Sequence, residues 1–297
     1  MALPTSSTLP GVSVVMPAYN AERYIVSAVR SALQDTALHP EVIVVDDGST
    51  DATVAEVRAL DDPRITIVSV SASGGPSRPR NIGVAHARAP YVSLMDSDDL
   101  LKPGKLARCI EALDRHPSAG FAFGDFEKMD ADGNVFETSI TYAYPVFRHL
   151  ATSDADGGWR LIPQHELARG LLYENFIGTS GVVARKDLIL KLGGFDESLP
   201  NGDDLDLWFR FGHHCDALYS PEISHSYRVH ATSVIHGPPI RNALSRIKVL
   251  ERERERWRDP AVRRHLSQRI ADNLGGIGYQ HRLLGKRWRA VRTYLSA

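Results

Sequence analysis

Two apolar segments of this chain run directly into aspartates: Val42-Ile-Val-Val45 into Asp46-Asp47-Gly48-Ser49-Thr50-Asp51, and Tyr91-Val-Ser-Leu-Met95 into Asp96-Ser97-Asp98-Asp99. A strand that is apolar along its whole length is buried on both faces, as in a parallel sheet covered by helices. Ligands of open α/β sheets bind outside the carboxyl ends of such strands. The pattern therefore gathers carboxylates at one sheet edge, where they repel one another unless a cation joins them. A divalent metal carrying a nucleoside diphosphate meets that need. Either cluster alone reads as a strand-end turn, for which Asp, Gly and Ser are the usual residues; their repetition favours a site.

The intervening segments keep the same alternation. Val12 to Met16 reads as a first strand ended by Pro17, and Asn20 is placed to cap a helix carrying Tyr24, Ile25, Ala28, Val29, Ala32 and Leu33 at helical spacing. Asp51 is placed to cap a short helix with Val54, Val57 and Leu60, ahead of a strand at Ile65 to Val70. The stretch Ser73-Gly-Gly-Pro76 leads to a helix near Arg80 to Arg88 and then to the strand at Tyr91. Strand and helix in repeated alternation predict parallel βαβ units. Further on, Lys102 to His116 reads as a helix and Phe121 to Lys128 as a strand turning at Asp132-Gly133, whereas residues 134 to 176 are aromatic but aperiodic. Ile247, Leu250 and Trp257 share a helical stripe, and Leu274, Ile277, Tyr279, Leu283, Leu284 and Trp288 suggest a further helix pair.

Length allows one large α/β domain or two unequal parts. No apolar run approaches the ~20 residues that span a bilayer. Met1 to Pro10 lacks the basic residue and apolar core of an export signal, so a cytoplasmic location is expected. Cys109 and Cys215 lack metal-ligand spacing and read as buried free thiols in a reducing compartment. The net charge of −1 hides an asymmetry: residues 240–297 carry 15 Lys/Arg against 5 Asp/Glu, a balance of +10 that leaves −11 for the rest. Such a tail is expected to dock on its own acidic body; peripheral attraction to an anionic membrane surface is the second expectation. No dinucleotide fingerprint, Walker loop or serine-hydrolase elbow is present, and no nucleic-acid partner is expected.

Seven segments then occur in a telling order: Val14-Val-Met-Pro-Ala-Tyr-Asn20, Val45-Asp-Asp-Gly-Ser-Thr-Asp51, Arg80-Asn81, Leu94-Met-Asp-Ser-Asp-Asp99, Gly193-Gly-Phe-Asp-Glu197, Asp203-Asp204 ahead of Leu207-Trp208, and Tyr227-Arg-Val-His230. Each is weak alone; their number, order and spacing resemble glycosyltransferase family 2, nucleotide-sugar transferases of the GT-A fold. The resemblance covers roughly residues 11 to 235. It implies an α/β, Rossmann-like, mostly parallel central sheet flanked by helices. The domains expected are a tail at 1–10, a GT-A domain at 11–239 (nucleotide-sugar half 11–130, acceptor and catalytic half 131–239) and a basic helical extension at 240–297.

Residue roles follow from chemistry and from the resemblance together. Asp96 and Asp98 are two apart at the end of an extended strand, so their carboxylates can face one side. Mg²⁺ and Mn²⁺ take oxygen ligands and commonly join a carboxylate to substrate phosphates. By resemblance Asp98 is the direct ligand of Mn²⁺ or Mg²⁺, Asp96 meets the ribose or the metal shell, and His230 reaches the metal or the diphosphate. Asp99 reads as the N-cap of the helix entered at Lys102-Pro103. The resemblance also makes Asp47, with Asp46 as runner-up, the acceptor for the nucleotide base; the imide N–H of uracil or thymine suits a carboxylate, which favours UDP or dTDP donors. Pro17, Ala18 and Tyr19 would wall the base pocket, Arg80 would steady the donor, and Arg228 would pair with phosphate oxygens.

Asp204, Trp208 and Phe211 fall on one helical face, which places Asp204 toward apolar surroundings and suits it to take a hydroxyl proton. The family usually has Glu-Asp where this chain has Asp203-Asp204; Asp203 is the alternative base. The other histidines, including His213-His214, are expected at the surface. The expected activity is inverting, metal-dependent transfer from a UDP- or dTDP-sugar to a hydroxyl of a glycan or lipid-linked acceptor, in glycan, polysaccharide or glycoconjugate synthesis. A non-catalytic nucleotide-sugar-binding protein would lack the metal and base carboxylates. A sugar nucleotidyltransferase would need a glycine-rich basic loop where Pro17-Ala-Tyr-Asn20 stands.

Overall fold

The structure is a computed structural model that describes residues 11–230 and 238–296. The expected tail at 1–10 lies outside the described residues, as does the stretch 231–237 of the expected GT-A domain. The chain opens with β1 (Ser13–Ala18), α1 (Ile25–Ala32), β2 (Glu41–Asp46), α2 (Thr53–Arg58), β3 (Ile65–Ser69), α3 (Ser77–His86) and β4 (Tyr91–Leu94). It continues through β5 (Leu100–Leu101), α4 (Lys105–Arg115), β6 (Ala119–Met129), β7 (Val135–Glu137), α5 (Ile140–Ala143), α6 (Pro145–Arg148), β8 (Ser153–Asp154), β9 (Arg160–Ile162) and α7 (Glu166–Leu171). Then come β10 (Val183–Arg185), α8 (Lys186–Lys191), α9 (Asp203–Gly212), β11 (Asp216–Arg228), α10 (Pro239–Arg256), α11 (Pro260–Leu283) and α12 (Arg287–Ser296).

One sheet in the order β3-β2-β1-β4-β10-β6-β11-β9-β8 runs through the molecule. β1 pairs parallel with β2 and β4, β10 lies antiparallel between β4 and β6, and β6 and β11 are parallel. The carboxyl ends of β1, β2, β4, β6 and β11 therefore share one edge. Strand order reverses between β1 and β4, which opens a crevice at that edge. The alternation of β residues fills two cores: Val42 and Val44 pack on one face of the sheet, Ile43 and Val45 on the other. α3 sits close on β1 because Gly83 has no side chain, since a Cβ there would fall 2.4 Å from Val15 Cγ1. That close seat carries Arg80, one turn earlier, down to the strand ends.

Several local expectations change. Pro17 does not end the first strand; it and Ala18 are buried strand residues. α1 starts five residues after Asn20, which caps nothing there; Asn20 has φ 49° and takes the Thr50 N–H at 2.9 Å, tying the loop after β1 to that after β2. Asp51 is not the cap of α2, a position held by Ala52 without a side-chain cap bond; from one residue earlier it still receives the Thr53 N–H at 3.0 Å. α4 begins at Lys105, and Asp35 rather than Asp99 receives its N-terminal N–H groups, from Gly104 at 2.7 Å and Leu106 at 3.0 Å. The aperiodic stretch 134–176 resolves into pieces of two to six residues, too short to show a period. It still delivers Phe147 and Phe176 to an aromatic core with Phe123 and Tyr219. Cys109 and Cys215 are buried free thiols, as expected.

The helices α10 and α11 belong to the core. Ile247 and Leu250 are buried as their stripe predicted, with Leu266, Ile270 and Ile277 of α11. Charge reinforces the seat: Arg252 bonds Asp196 and Asp206, and His213 meets the buried Glu253 at 2.7 Å. Among the described residues no helix is long and apolar enough to cross a membrane.

The histidines expected at the surface include two that are not. His213 is paired with Glu253 beneath α10, and His225 of β11 is fully buried, stacked on Phe126 with ring centroids 5.0 Å apart. Burial, aided by Lys105 and Lys102, holds the His225 pKa down to about 3. Between the ordinary value near 6.5 and about 3, the unfolded chain binds a proton that the folded chain does not. Stability contributed by neutral His225 is thus present at neutral pH and lost on acidification, by at most about 1.4 kcal/mol per pH unit. In urea unfolding from pH 7 to pH 5, roughly the window of this linkage, His225→Asn should show a shallower loss of stability than the wild type. Equal slopes would rule this out.

Candidate functional site

The strand-end aspartates meet α9 through one arginine. Arg80 is buried, and its Nη2 donates to Asp96 Oδ1 at 2.6 Å while Nη1 donates to Asp203 Oδ2 at 2.8 Å. Its guanidinium also lies over the Phe195 ring, 5.4 Å from the centroid. Burial alone would depress the arginine's pKa, but Asp203 and Asp96 outweigh it and hold the charge in place. A cation that links residues 96 and 203 draws the β4 end and the start of α9 into one site. Its two terminal nitrogens already face carboxylates, so any influence of Arg80 on a donor runs through Asp96.

Beside that bridge, Asp98 Oδ2 lies 2.8 Å from His230 Nε2, and the His230 ring packs against Tyr24 with centroids 5.0 Å apart. Burial and the neighbouring Asp96 push the Asp98 carboxyl above the usual range, against the pull of His230. Burial, Asp98 and Asp96 raise Asp99 further. Asp99 is not a helix cap: it accepts from Ser180 Oγ at 2.6 Å and from the Arg228 N–H at 2.9 Å. Arg228 is likewise displaced from its expected role. Its Nε donates to the Asp98 carbonyl at 2.8 Å, its Nη1 to the carbonyls of Asp130 and Ala131, and its guanidinium stacks 4.7 Å from the Tyr24 centroid. These contacts make it a clamp on the Asp98 loop rather than a fork held out for phosphate.

Among the described residues no three His, Cys, Asp or Glu side chains are grouped to hold a metal. The expected trio is only partly assembled: Asp98 and His230 touch, while Asp96 is ion-paired with Arg80. A repelling carboxylate pair with one histidine still suits an oxygen-seeking divalent ion. Mg²⁺ in particular is usually held by one or two carboxylates together with substrate phosphates.

At the base side, Asp47 receives the Ser73 N–H and hydroxyl, both at 2.9 Å, and Asp46 receives the Ser49 N–H at 3.1 Å. Both carboxylates are buried, which leaves Tyr19, 57% exposed, as the open member of the expected wall; Pro17 and Ala18 lie inside β1.

The two aspartates that open α9 differ. Asp203 is 2% exposed and bound to Arg80; burial raises its pKa against that pairing. Asp204 does not face apolar surroundings as its helical position suggested. It is part-exposed, and its Oδ2 accepts from Asn175 Nδ2 at 3.0 Å with Thr179 Oγ1 at 3.5 Å. Apolar contact along α9 falls instead to Leu205, Leu207, Trp208 and Phe209. Gly202, at φ 74°, starts the helix in a left-handed turn.

Asn175, Thr179 and Ser180 were not singled out from the sequence, and Tyr227 was noted only as part of a motif, without a role. The run Gly178-Thr-Ser-Gly181 just ahead of an apolar strand was the available signal. Tyr227 feels Asp99, Asp96, Asp98 and Asp204, which with burial, the larger cause, raise its phenol well above the usual range and keep it a neutral O–H. Asn175→Ala should cost several-fold in turnover, since Asp204 loses its one close hydrogen bond among those described here. Steady-state kinetics check this, and unchanged kcat would remove Asn175 from the site.

Comparison with known proteins bears on the family and the fold. The sequence model of Glycosyl transferase family 2 matches residues 13–184. The succinoglycan biosynthesis protein ExoO of Rhizobium meliloti (strain 1021) is 38% identical over 130 residues, covering 44% of this chain and 37% of that protein. Chondroitin synthase of Escherichia coli is 28% identical over 208 residues, covering 69% of this chain and 27% of the synthase. The chain thus spans well under half of either relative. Among solved structures, the mannosyltransferase PcManGT from Pyrobaculum calidifontis, in complex with GDP-Man and Mn²⁺, superposes with a TM-score of 0.62 at 18% identity, covering 99% of this chain and 77% of that one. S. aureus TarS 1-349 in complex with UDP-GlcNAc gives 0.62 at 19% identity, covering 89% and 71%. At such identities the likeness is one of fold, and that fold is GT-A.

Proposed function

This chain belongs to glycosyltransferase family 2, and from that premise we propose that it moves a sugar, with inversion, from a nucleoside diphosphate sugar to an acceptor hydroxyl. The observation that carries the reading is the Arg80 bridge from Asp96 to Asp203. It sets a donor-side carboxylate cluster beside a part-exposed aspartate, Asp204, that is free of any described ion pair.

In the proposed reaction the nucleotide lies over the carboxyl ends of β1, β2 and β4. Asp47, or Asp46, accepts the imide N–H of uracil or thymine, and Tyr19 covers the base. The Ser73 bonds hold Asp47 in one orientation and leave lone pairs on both oxygens. Asp98 and His230 would hold Mn²⁺ or Mg²⁺, whose positive charge offsets that developing on the diphosphate. Asp204, oriented by Asn175, takes the proton of the acceptor hydroxyl. The new bond forms to the anomeric carbon as the carbon–oxygen bond to the diphosphate breaks on the opposite face. Asp203 and Arg80 keep the start of α9 against β4, so the base and the donor side hold a constant separation. Residues 11–130 thereby serve the nucleotide sugar, and residues 131–239 the acceptor and the catalysis.

The relatives in polysaccharide synthesis favour a glycan or lipid-linked acceptor, and the neighbours that bind UDP-GlcNAc and GDP-Man favour a nucleotide sugar. Incubating the protein with a panel of UDP-, dTDP- and GDP-sugars and Mn²⁺ tests the reading, with release of the nucleoside diphosphate as the readout. Release from a UDP- or dTDP-sugar is the expected result. Tight binding without turnover, with or without glycan acceptors, would point to a non-catalytic binding protein instead.

A further inference from the structure

The last helix is turned the wrong way for a structural element. Trp288, Val291 and Leu295 recur at three and four residues on α12 and so form one stripe. Trp288 is 83% and Leu295 84% exposed, while Ala290, on the other side of the same helix, is 4% exposed. A helix that only stabilised its domain would bury the tryptophan and leucine and turn the alanine out. Leu283 and Leu284, both exposed, lie where α11 ends, within five residues of Trp288 in the sequence. The contrast with Ile247, Leu250 and Leu266, which are buried under the two preceding helices, is sharp.

Charge identifies what would cover this face. Arg282, Lys286, Arg287, Arg289 and Arg292 are all exposed around it, and no acidic residue follows Asp272 in the sequence. A second copy of the chain, meeting the face symmetrically, would bring two sets of like charges together. An anionic bilayer offers both requirements at once, phosphates for the arginines and an acyl boundary for the apolar stripe. α12, with ten residues, is too short to span a membrane but suits one lying in the interface.

We propose that α12 and the turn preceding it dock this chain on an anionic lipid surface, with Trp288, Val291 and Leu295 entering the headgroup–acyl boundary and Arg287 and Arg292 meeting lipid phosphates. The inference is independent of the catalytic reading, since it uses no residue of the site. It also separates the uses of the basic tail: α10 and α11 hold the domain together, and α12 faces a membrane.

The test uses the full chain with phosphatidylglycerol-containing vesicles and with neutral phosphatidylcholine vesicles, at low and high salt. Co-sedimentation should favour the anionic vesicles by about tenfold or more and fade with salt. The double variant Trp288→Glu/Leu295→Glu should lose that binding while keeping its circular dichroism and melting temperature. A second readout needs no folded double variant. Trp159 and Trp208 are buried and Trp257 is half-buried, so a vesicle-induced blue shift of tryptophan fluorescence should come from Trp288 and vanish in Trp288→Phe. Absence of binding to anionic vesicles, binding equal in the double variant, or a blue shift that survives Trp288→Phe would each overturn the proposal. So would a concentration-dependent dimer that the double variant abolishes, because the face would then belong to a second copy.

Discussion

Asp204→Asn is expected to lower sugar transfer by about 10²-fold or more, the usual scale for losing a general base, while nucleotide-sugar affinity stays within a few-fold. Asparagine keeps the size of the side chain and can still meet Thr179, but it cannot take a proton. Asp203 is not placed to substitute. It is buried, and its Oδ2 is held by Arg80 at 2.8 Å, so taking a proton there would weaken an ion pair that holds α9. Asp203→Asn should therefore act mainly on stability, with a lower melting temperature and a smaller change in kcat per folded molecule. Direct measurement of both variants by single-turnover kinetics and thermal unfolding distinguishes the two aspartates. An active Asp204→Asn beside a folded but inactive Asp203→Asn would reverse the assignment.

The second large effect is expected at Asp98. Asp98→Ala removes the carboxylate that meets His230 and would leave the diphosphate charge without its protein-held counter-ion, so turnover should fall by orders of magnitude. Folding should not suffer in parallel. Asp98 sits with its carboxyl raised by burial and by Asp96, so the metal-free protein loses a strained charge when it is replaced. Thermal unfolding without metal at or above the wild-type temperature, together with collapsed activity, is the expected pair of results. Full transfer in excess EDTA would exclude the metal-dependent mechanism altogether.

Arg80 shows why the sequence was only partly legible. As a residue after a glycine loop it read as a contact that steadies the donor. In the fold, Gly83 lets α3 settle on β1 and Arg80 arrives buried between Asp96 and Asp203. Asp99 misled in the same way, since three residues before Lys102-Pro103 it looked like a cap. Asp35, from the loop after α1, took that task, and Asp99 turned inward to Ser180 and to the Arg228 N–H. Asn175 lay in a stretch without period, so nothing local marked it as the partner of Asp204.

The sequence by itself determined the alternation of buried strands and helices, and with it the carboxyl edge where the aspartates gather. Those features rest on local periodicity and on residue types that follow one another along the chain. Only the tertiary structure decided which carboxylates remain available. Arg80 engages Asp96 and Asp203, whereas Asp98 stands against His230 and Asp204 against Asn175. The partners come from segments far apart in the chain, so which carboxylate stays available depends on contacts that packing creates.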